Sequence, residues 1–148
     1  MTDESQTSVD LQFGLGTDIV EIQRFRALDR DAPFFSRVFT HDELTYCRKH
    51  TDASPHFAAT FAGKESVLKA MNSRRQLSIS EIEILRDSDG APYVCVEENT
   101  DVEVLVSLAH SEHYAVAVAI VIPKSQSSNV EMFRKLLNET IHDIIPGQ

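Results

Sequence analysis

Two apolar, β-branched runs near the end of the chain, residues 102–109 and 113–122, are separated only by His110-Ser111-Glu112. A link that short carries no crossover, so the runs can pair only as antiparallel neighbours. A second pair precedes them. Residues 79–86 and 91–97 are strand-like and joined by Asp87-Ser88-Asp89-Gly90, and Asp-Gly between two such runs is a hairpin signal.

Upstream of both pairs, residues 54–72 read as one long helix. Ser54 reads as its N-cap and Pro55 as its first helical position. Phe57, Phe61, Leu68 and Met71 form one stripe at helical spacing. Residues 12–22 are apolar with a Gly14-Leu15-Gly16 interruption, which reads as a strand entering a turn with Asp18 near its end. Residues 23–50 are helical but broken at Pro33, and Thr40 with Glu43 fits a capping box that starts a helix. After a polar linker at 124–129, Ser128 and Glu131 fit a second capping box. Val130, Phe133, Leu137, Ile141 and Ile144 follow at helical spacing, and Pro146-Gly147 ends the helix. The order of strand, helices, mostly antiparallel strands and an appended helix is α+β. Residues 1–11 read as a disordered tail, 12–123 as one domain and 124–148 as a C-terminal helical extension. A length of 148 residues fits one ordinary domain.

Charge narrows the function classes. There are 23 acidic against 14 basic residues, a net charge of −9, which argues against a nucleic-acid coat or a binder of anionic membranes. No apolar run reaches the ~18 residues a membrane helix needs. The first ten residues have neither the basic nor the apolar region of a secretion signal. Cys47 and Cys95 sit in no metal spacing and read as reduced thiols in a cytoplasmic protein. There is no zinc cluster, no P-loop, no G-x-S-x-G and no H-E-x-x-H, and Gly14-Leu15-Gly16 lacks the third glycine of a dinucleotide fingerprint.

The residues able to carry chemistry are few. Asp18 follows the Gly-x-Gly element, where a turn acid bonding its own backbone is the plain alternative. Glu65 lies only ~40° beyond Phe61 on the helix, on the flank of the apolar stripe. Lys64 falls close to the stripe itself and must snorkel or find an anion. Glu65 and Lys69 are spaced i,i+4, where a surface ion pair is the default. At the end of its strand His110 shares a face with Leu108, while Ser107 shares the other with Ala109. Asp18 and Glu65 together offer hard oxygen donors of the kind Mg²⁺ takes, with water and substrate phosphate completing its shell. Lys64, Lys69 and His110 would then neutralise phosphate charge. From the residues alone this reaches a metal-assisted phosphate site and no further.

The motifs together resemble a known family. Residues 14–22, GLGTDIVEI, resemble the N-terminal motif of the holo-[acyl-carrier-protein] synthases, the small trimeric class of 4′-phosphopantetheinyl transferases. Residues 61–69, FAGKESVLK, are similar to the family's second motif, an aromatic residue followed by K-E-[AS]-x-x-K. Val106-Ser107-Leu108-Ala109-His110 with Tyr114-Ala115-Val116-Ala117 resembles its closing strand pair. Leu77-Ser78 and Gly90-Ala91-Pro92-Tyr93 also fall where the family has similar residues. The likeness spans residues 12–122.

That resemblance implies a fold, an antiparallel sheet packed against a long helix, and a reaction. The 4′-phosphopantetheine arm of coenzyme A passes to a serine of an apo acyl carrier protein, releasing adenosine 3′,5′-bisphosphate. Carried over by motif, Asp18 and Glu65 would hold Mg²⁺, and Asp18, Glu65 and Lys69 would be catalytic. Lys64 and Lys69 would meet phosphate oxygens, and Ser107 and His110 would line the nucleotide side. Glu65 or a metal-bound water would take the serine proton. Arg24 best matches the family's carrier-docking arginines, with Arg26, Arg30 and Arg37 as further candidates. The resemblance also implies a homotrimer with sites between subunits and a role in fatty-acid synthesis. This chain departs from the pattern after Lys69. Met71-Asn72-Ser73-Arg74-Arg75-Gln76 replaces a short glycine-rich loop, and Arg74 and Arg75 stand as substitute phosphate contacts. The span 97–102 is too short for a helix that many members carry there. Two other readings remain: a non-catalytic relative that binds carrier protein or coenzyme A, and a metal-dependent phosphohydrolase of another family.

Overall fold

The computed structural model describes residues 12–72, 74–98 and 101–144. The expected tail at 1–11 and the stop at Pro146-Gly147 lie outside the described residues. Strand β1 (Gly14–Glu21) leads into three short helices, α1 (Gln23–Arg26), α2 (Pro33–Val38) and α3 (His41–Arg48), and then the long α4 (Ser54–Met71). Hairpin β2 (Ile82–Arg86) and β3 (Pro92–Val96) comes next. Then come β4 (Val102–His110), β5 (Tyr114–Pro123) and α5 (Val130–Ile144).

Both strand pairs form as the sequence requires. β4 and β5 are antiparallel neighbours, with Leu108 opposite Ala117, and β1 adds to the other side of β5 with Asp18 opposite Ala117. The three-stranded sheet therefore runs β1-β5-β4. β2 and β3 form a separate two-stranded sheet, and its turn uses Gly90 at φ +85°, a conformation that favours glycine. Residues Ile79–Glu81, expected as strand, form a 3₁₀ turn, closed by a capping box between Ser78 and Glu81. The linker Lys124–Asn129 is likewise a 3₁₀ segment.

The first motif is not a turn. β1 runs unbroken through both glycines. Gly14, Gly16, Asp18 and Val20 share the face that meets α4, since side chains alternate along a strand. A Cβ on Gly14 would overlap the carbonyl oxygen of Ala70, and one on Gly16 that of Ser66. The glycines are there because a helix backbone lies directly on the strand. Helix α4 also starts one residue before the expected position: Ala53 is the N-cap, with no side-chain bond, and Ser54 is already helical.

α4 is enclosed on several sides. Ala59, Ala62, Ser66 and Ala70 are small and buried, allowing its close approach to the sheet. The aromatic stripe points elsewhere, and Phe57 and Phe61 pack with Phe25, Phe34, Phe35 and Phe39 of the short-helix region. α5 covers part of the sheet's opposite face, where Leu137 and Ile141 bury Leu105, Ala109, Val118 and Ile122. The appended helix thus packs on the chain's own core. None of the described helices is long and apolar enough to cross a membrane.

Candidate active site

Asp18 follows the two glycines on the face of β1 that meets α4, which brings it beside Lys69. The Lys69 ammonium donates to Asp18 Oδ1 at 3.1 Å and to the Thr17 carbonyl at 2.8 Å. The Lys69 side chain keeps 53 % of its exposure and Asp18 only 19 %, so the cluster opens to solvent on its cationic side. Glu65 lies one helical turn earlier. Burial, and then the Asp18 charge, push its carboxyl above the usual carboxylate range, while Lys69 and Arg24 pull the other way. The Arg24 guanidinium lies over the Phe61 ring, 5.7 Å from its centroid. Two carboxylates and two cations from β1, α1 and α4 therefore converge.

Among the described residues there is no group of three or more His, Cys, Asp and Glu side chains able to hold a metal. A cation between Asp18 and Glu65 would rest on two carboxylates and complete its shell with water or substrate oxygens. That is the habit of Mg²⁺ rather than of zinc. The raised carboxyl of Glu65 beside the Asp18 charge fits a cation that would relieve the repulsion.

Lys64 does not reach this site, which corrects its assignment as a phosphate contact. Its side chain is fully buried. The ammonium donates to Glu43 Oε1 at 2.6 Å and to the Val38 carbonyl at 2.6 Å, and it lies over the Phe39 ring. Glu43 is held in turn by the backbone N–H groups of Thr40 and Ile84, and the Thr40 hydroxyl donates to Glu83 at 2.5 Å. The anion that Lys64 needed is the capping-box glutamate of α3. The adjacent lysine and glutamate of the second motif thus divide their work: Lys64 pins α4 to Val38 of α2 and Glu43 of α3, and Glu65 lies on the Asp18 side.

Ser107 is also displaced from its expected role. It is 4 % exposed, lies on the sheet face covered by α5, and donates to Asn138 Oδ1 at 3.0 Å. His110 is on the opposite face and lines a cavity of about 210 Å³ with Tyr46, His56, Arg86 and Pro92. The rings of His50 and His56 stack with centroids 3.5 Å apart, and His110 lies edge-on 6.1 Å from His56. Burial, followed by the like charges of His50 and His110, lowers the pKa of His56 to about 4. Nine residues separate His56 from Glu65, or ~180° around the helix. The Asp18–Glu65 cluster and the His110 cavity therefore lie on opposite flanks of α4.

Arg24, Arg26, Arg30 and Arg37 are all exposed along the first helices. Arg26 pairs with Asp52 at 2.9 Å, and Arg26 and Arg30 rim a cavity of about 200 Å³ with Phe25, Leu28 and Phe57. In the shortened loop, Arg74 donates to the Gln12 carbonyl and Arg75 lies 3.6 Å from Glu81, so both have protein partners. Cys47 and Cys95 are free thiols, and burial pushes the Cys47 thiol up to about 12.

Sequence reasoning missed His56 and Arg86. The signal for Arg86 was present, because it shares strand parity with the buried Ile82 and Ile84, where an arginine is out of place. His56 carried no such signal, since its neighbours come from α3 and β4.

Residues 14–119 match the family model of the 4′-phosphopantetheinyl transferase superfamily. A holo-[acyl-carrier-protein] synthase of Aquifex aeolicus is 40 % identical over 121 residues, covering 75 % of this chain and 99 % of that protein. One from Thermodesulfovibrio yellowstonii is 34 % identical over 110 residues, covering 73 % and 96 %. Among solved structures, the holo-(acyl-carrier-protein) synthase of Bacillus anthracis in complex with CoA (3′,5′-ADP) superposes with a TM-score of 0.65 at 28 % identity, covering 75 % of this chain and 96 % of that one. The Helicobacter pylori synthase in complex with coenzyme A gives 0.64 at 28 % identity, covering 72 % and 98 %.

Proposed function

Because this chain belongs to the 4′-phosphopantetheinyl transferase superfamily, we propose that it is a holo-[acyl-carrier-protein] synthase whose chemistry is done at Asp18, Glu65 and Lys69. It transfers the 4′-phosphopantetheine group of coenzyme A to a serine of an apo acyl carrier protein. The serine oxygen forms the new bond to the phosphorus bearing pantetheine, the bond to the bridging oxygen breaks, and adenosine 3′,5′-bisphosphate leaves.

The observation that carries the site assignment is the convergence of Asp18, Glu65, Lys69 and Arg24, with Glu65 raised above its ordinary range. Asp18 and Glu65 are the residues that would hold Mg²⁺. When bound there, such an ion would supply charge neutralisation for the diphosphate. Lys69 supplies a positive charge for a phosphate oxygen at the mouth of the site. Glu65 is the carboxylate placed to take the serine proton. Oriented charge of this kind carries phosphoryl-type transfer, which asks for positioning and neutralisation more than covalent help.

Arg24, next to Glu65, docks the acidic carrier, with Arg26, Arg30 and Arg37 extending the basic face. The nucleotide end of coenzyme A is taken by the cavity beside His110. Since α4 separates that cavity from Asp18 and Glu65, one coenzyme A is shared between neighbouring chains. This supports a homotrimer with sites between subunits. Exposed Leu15 and Ile19 on β1, 72 % and 65 % accessible, offer apolar surface for that contact. The free thiols accord with the cytoplasm.

The test is intact-mass spectrometry of apo acyl carrier protein incubated with this protein, coenzyme A and Mg²⁺. A gain of one phosphopantetheine, lost with chelator, is expected. No gain, with coenzyme A still bound, would reverse the reading in favour of a non-catalytic relative.

A further inference from the structure

The appended helix leaves an apolar groove open between itself and β1. The groove measures about 640 Å³, with Leu15 and Thr17 of β1 on one side, Leu137 and Thr140 of α5 on the other, and Lys69 closing one end. Leu136 and Met132 stand one and two turns before Thr140 on the same side of α5, and both are about half exposed. Among the described residues, the exposed large apolar side chains that are not aromatic are Leu15, Ile19, Met132 and Leu136. All four lie on the two elements that wall the groove. Apolar surface gathered in this way marks an interaction site.

Charge and spacing identify the partner as a second copy of this chain. Met132, Leu136, Glu139 and Asp143 recur at spacings of 4, 3 and 4, so they form one seam of α5, apolar in its first half and acidic in its second. The groove has the same order. Phe13 packs on Phe133, which sets the start of β1 against the start of α5. Leu15 follows, and Lys69 is bound further along β1, at Thr17 and Asp18. From Leu136 to Asp143 is ~10 Å along a helix, and from Leu15 to Asp18 is ~10 Å along a strand. An α5 laid in the groove parallel to the resident one therefore sets Leu136 on Leu15 and Asp143 beside the half-exposed Lys69. Seam against identical seam would oppose like charges, so the contact runs from the seam of one chain to the groove of the next. Such a head-to-tail contact closes into a ring.

Resting on the reading of sites shared between neighbouring chains, we propose that α5 is a self-association element whose Met132–Asp143 seam seats in the β1–α5 groove of the next copy.

Sedimentation velocity of the full chain tests this without requiring turnover. Wild-type protein is expected to form a closed oligomer. Leu136→Glu puts a charge in the apolar half of the seam and is expected to weaken association at least about tenfold with the far-ultraviolet dichroism unchanged. Leu15→Lys does the same from the groove. Combined in one chain, the two new charges meet across the contact, and association is expected to recover about threefold or more over the sum of the single losses. A monomeric wild type, an oligomer unmoved by Leu136→Glu, or a double variant without recovery overturns the proposal. Should Leu136→Glu not fold, Met132→Glu is read instead, with the same weakening expected and no weakening being contrary. An oligomer that these variants dissociate but that moves no phosphopantetheine would overturn the proposed function and leave the α5 contact standing.

Discussion

Lys64 and Glu43 form a fully buried ion pair, Nζ to Oε1 2.6 Å, that ties the middle of α4 to the first turn of α3. Removing one partner strands the other. Lys64→Met is expected to destabilise the protein by about 3–5 kcal/mol, because it leaves the fully buried Glu43 carboxyl without its ion-pair partner. Urea unfolding measures it. If Lys64 instead served coenzyme A, the variant would stay stable and its KM would rise.

Gly16 should tolerate no side chain. Gly16→Ala places a methyl against the Ser66 carbonyl, a backbone atom that cannot turn aside. About 3 kcal/mol or more of stability should be lost, at the upper end of overpacking effects. Gly90→Ala, by contrast, meets open space and suffers only from its positive φ. The two melting temperatures, compared directly, decide whether the first motif serves packing or a turn.

Glu65→Gln should separate activity from stability. Transfer is expected to fall by at least about a hundredfold, a ~3 kcal/mol loss. The melting temperature should hold or rise slightly, since the change removes a carboxylate opposed by burial and by Asp18. A large loss of stability would mean that Glu65 is a structural ion-pair residue.

The histidine stack predicts acid lability. His56 titrates near 4 in the folded chain and near 6.5 when unfolded. Between those values the unfolded chain binds more protons, so stability is full above about 6.5 and declines as pH falls toward about 4. Such a depression corresponds to roughly 3 kcal/mol at most, and solvent screening of the part-exposed ring reduces it to about 1–2 kcal/mol. In His56→Gln the difference between urea midpoints at neutral and acid pH should shrink. An unchanged difference would remove His56 as its source.

Local patterns in the sequence carried the strands, the long helix and the Thr40–Glu43 capping box, because each depends on residues close in the chain. Asp18, Glu65 and Lys69 were legible as a group through the family resemblance, and their contact follows from β1 lying on α4. The errors have a common origin. Gly14 and Gly16 read as a turn because what excludes their side chains is a helix fifty residues away. Lys64 read as a phosphate contact because its partner, Glu43, sits on another helix. Ser107 lost its expected role to Asn138 on α5, whose position over the sheet no local pattern could give.

α4 stands as a wall between the carboxylates and the histidine cavity, and this bears on how output is controlled. If each reaction centre is assembled from the left flank of one wall and the right flank of the next, an isolated chain is folded but idle. Specific activity would then fall on dilution while the far-ultraviolet dichroism stayed constant. Abundance of the protein, beyond its turnover number, would set how steeply carrier loading responds to expression.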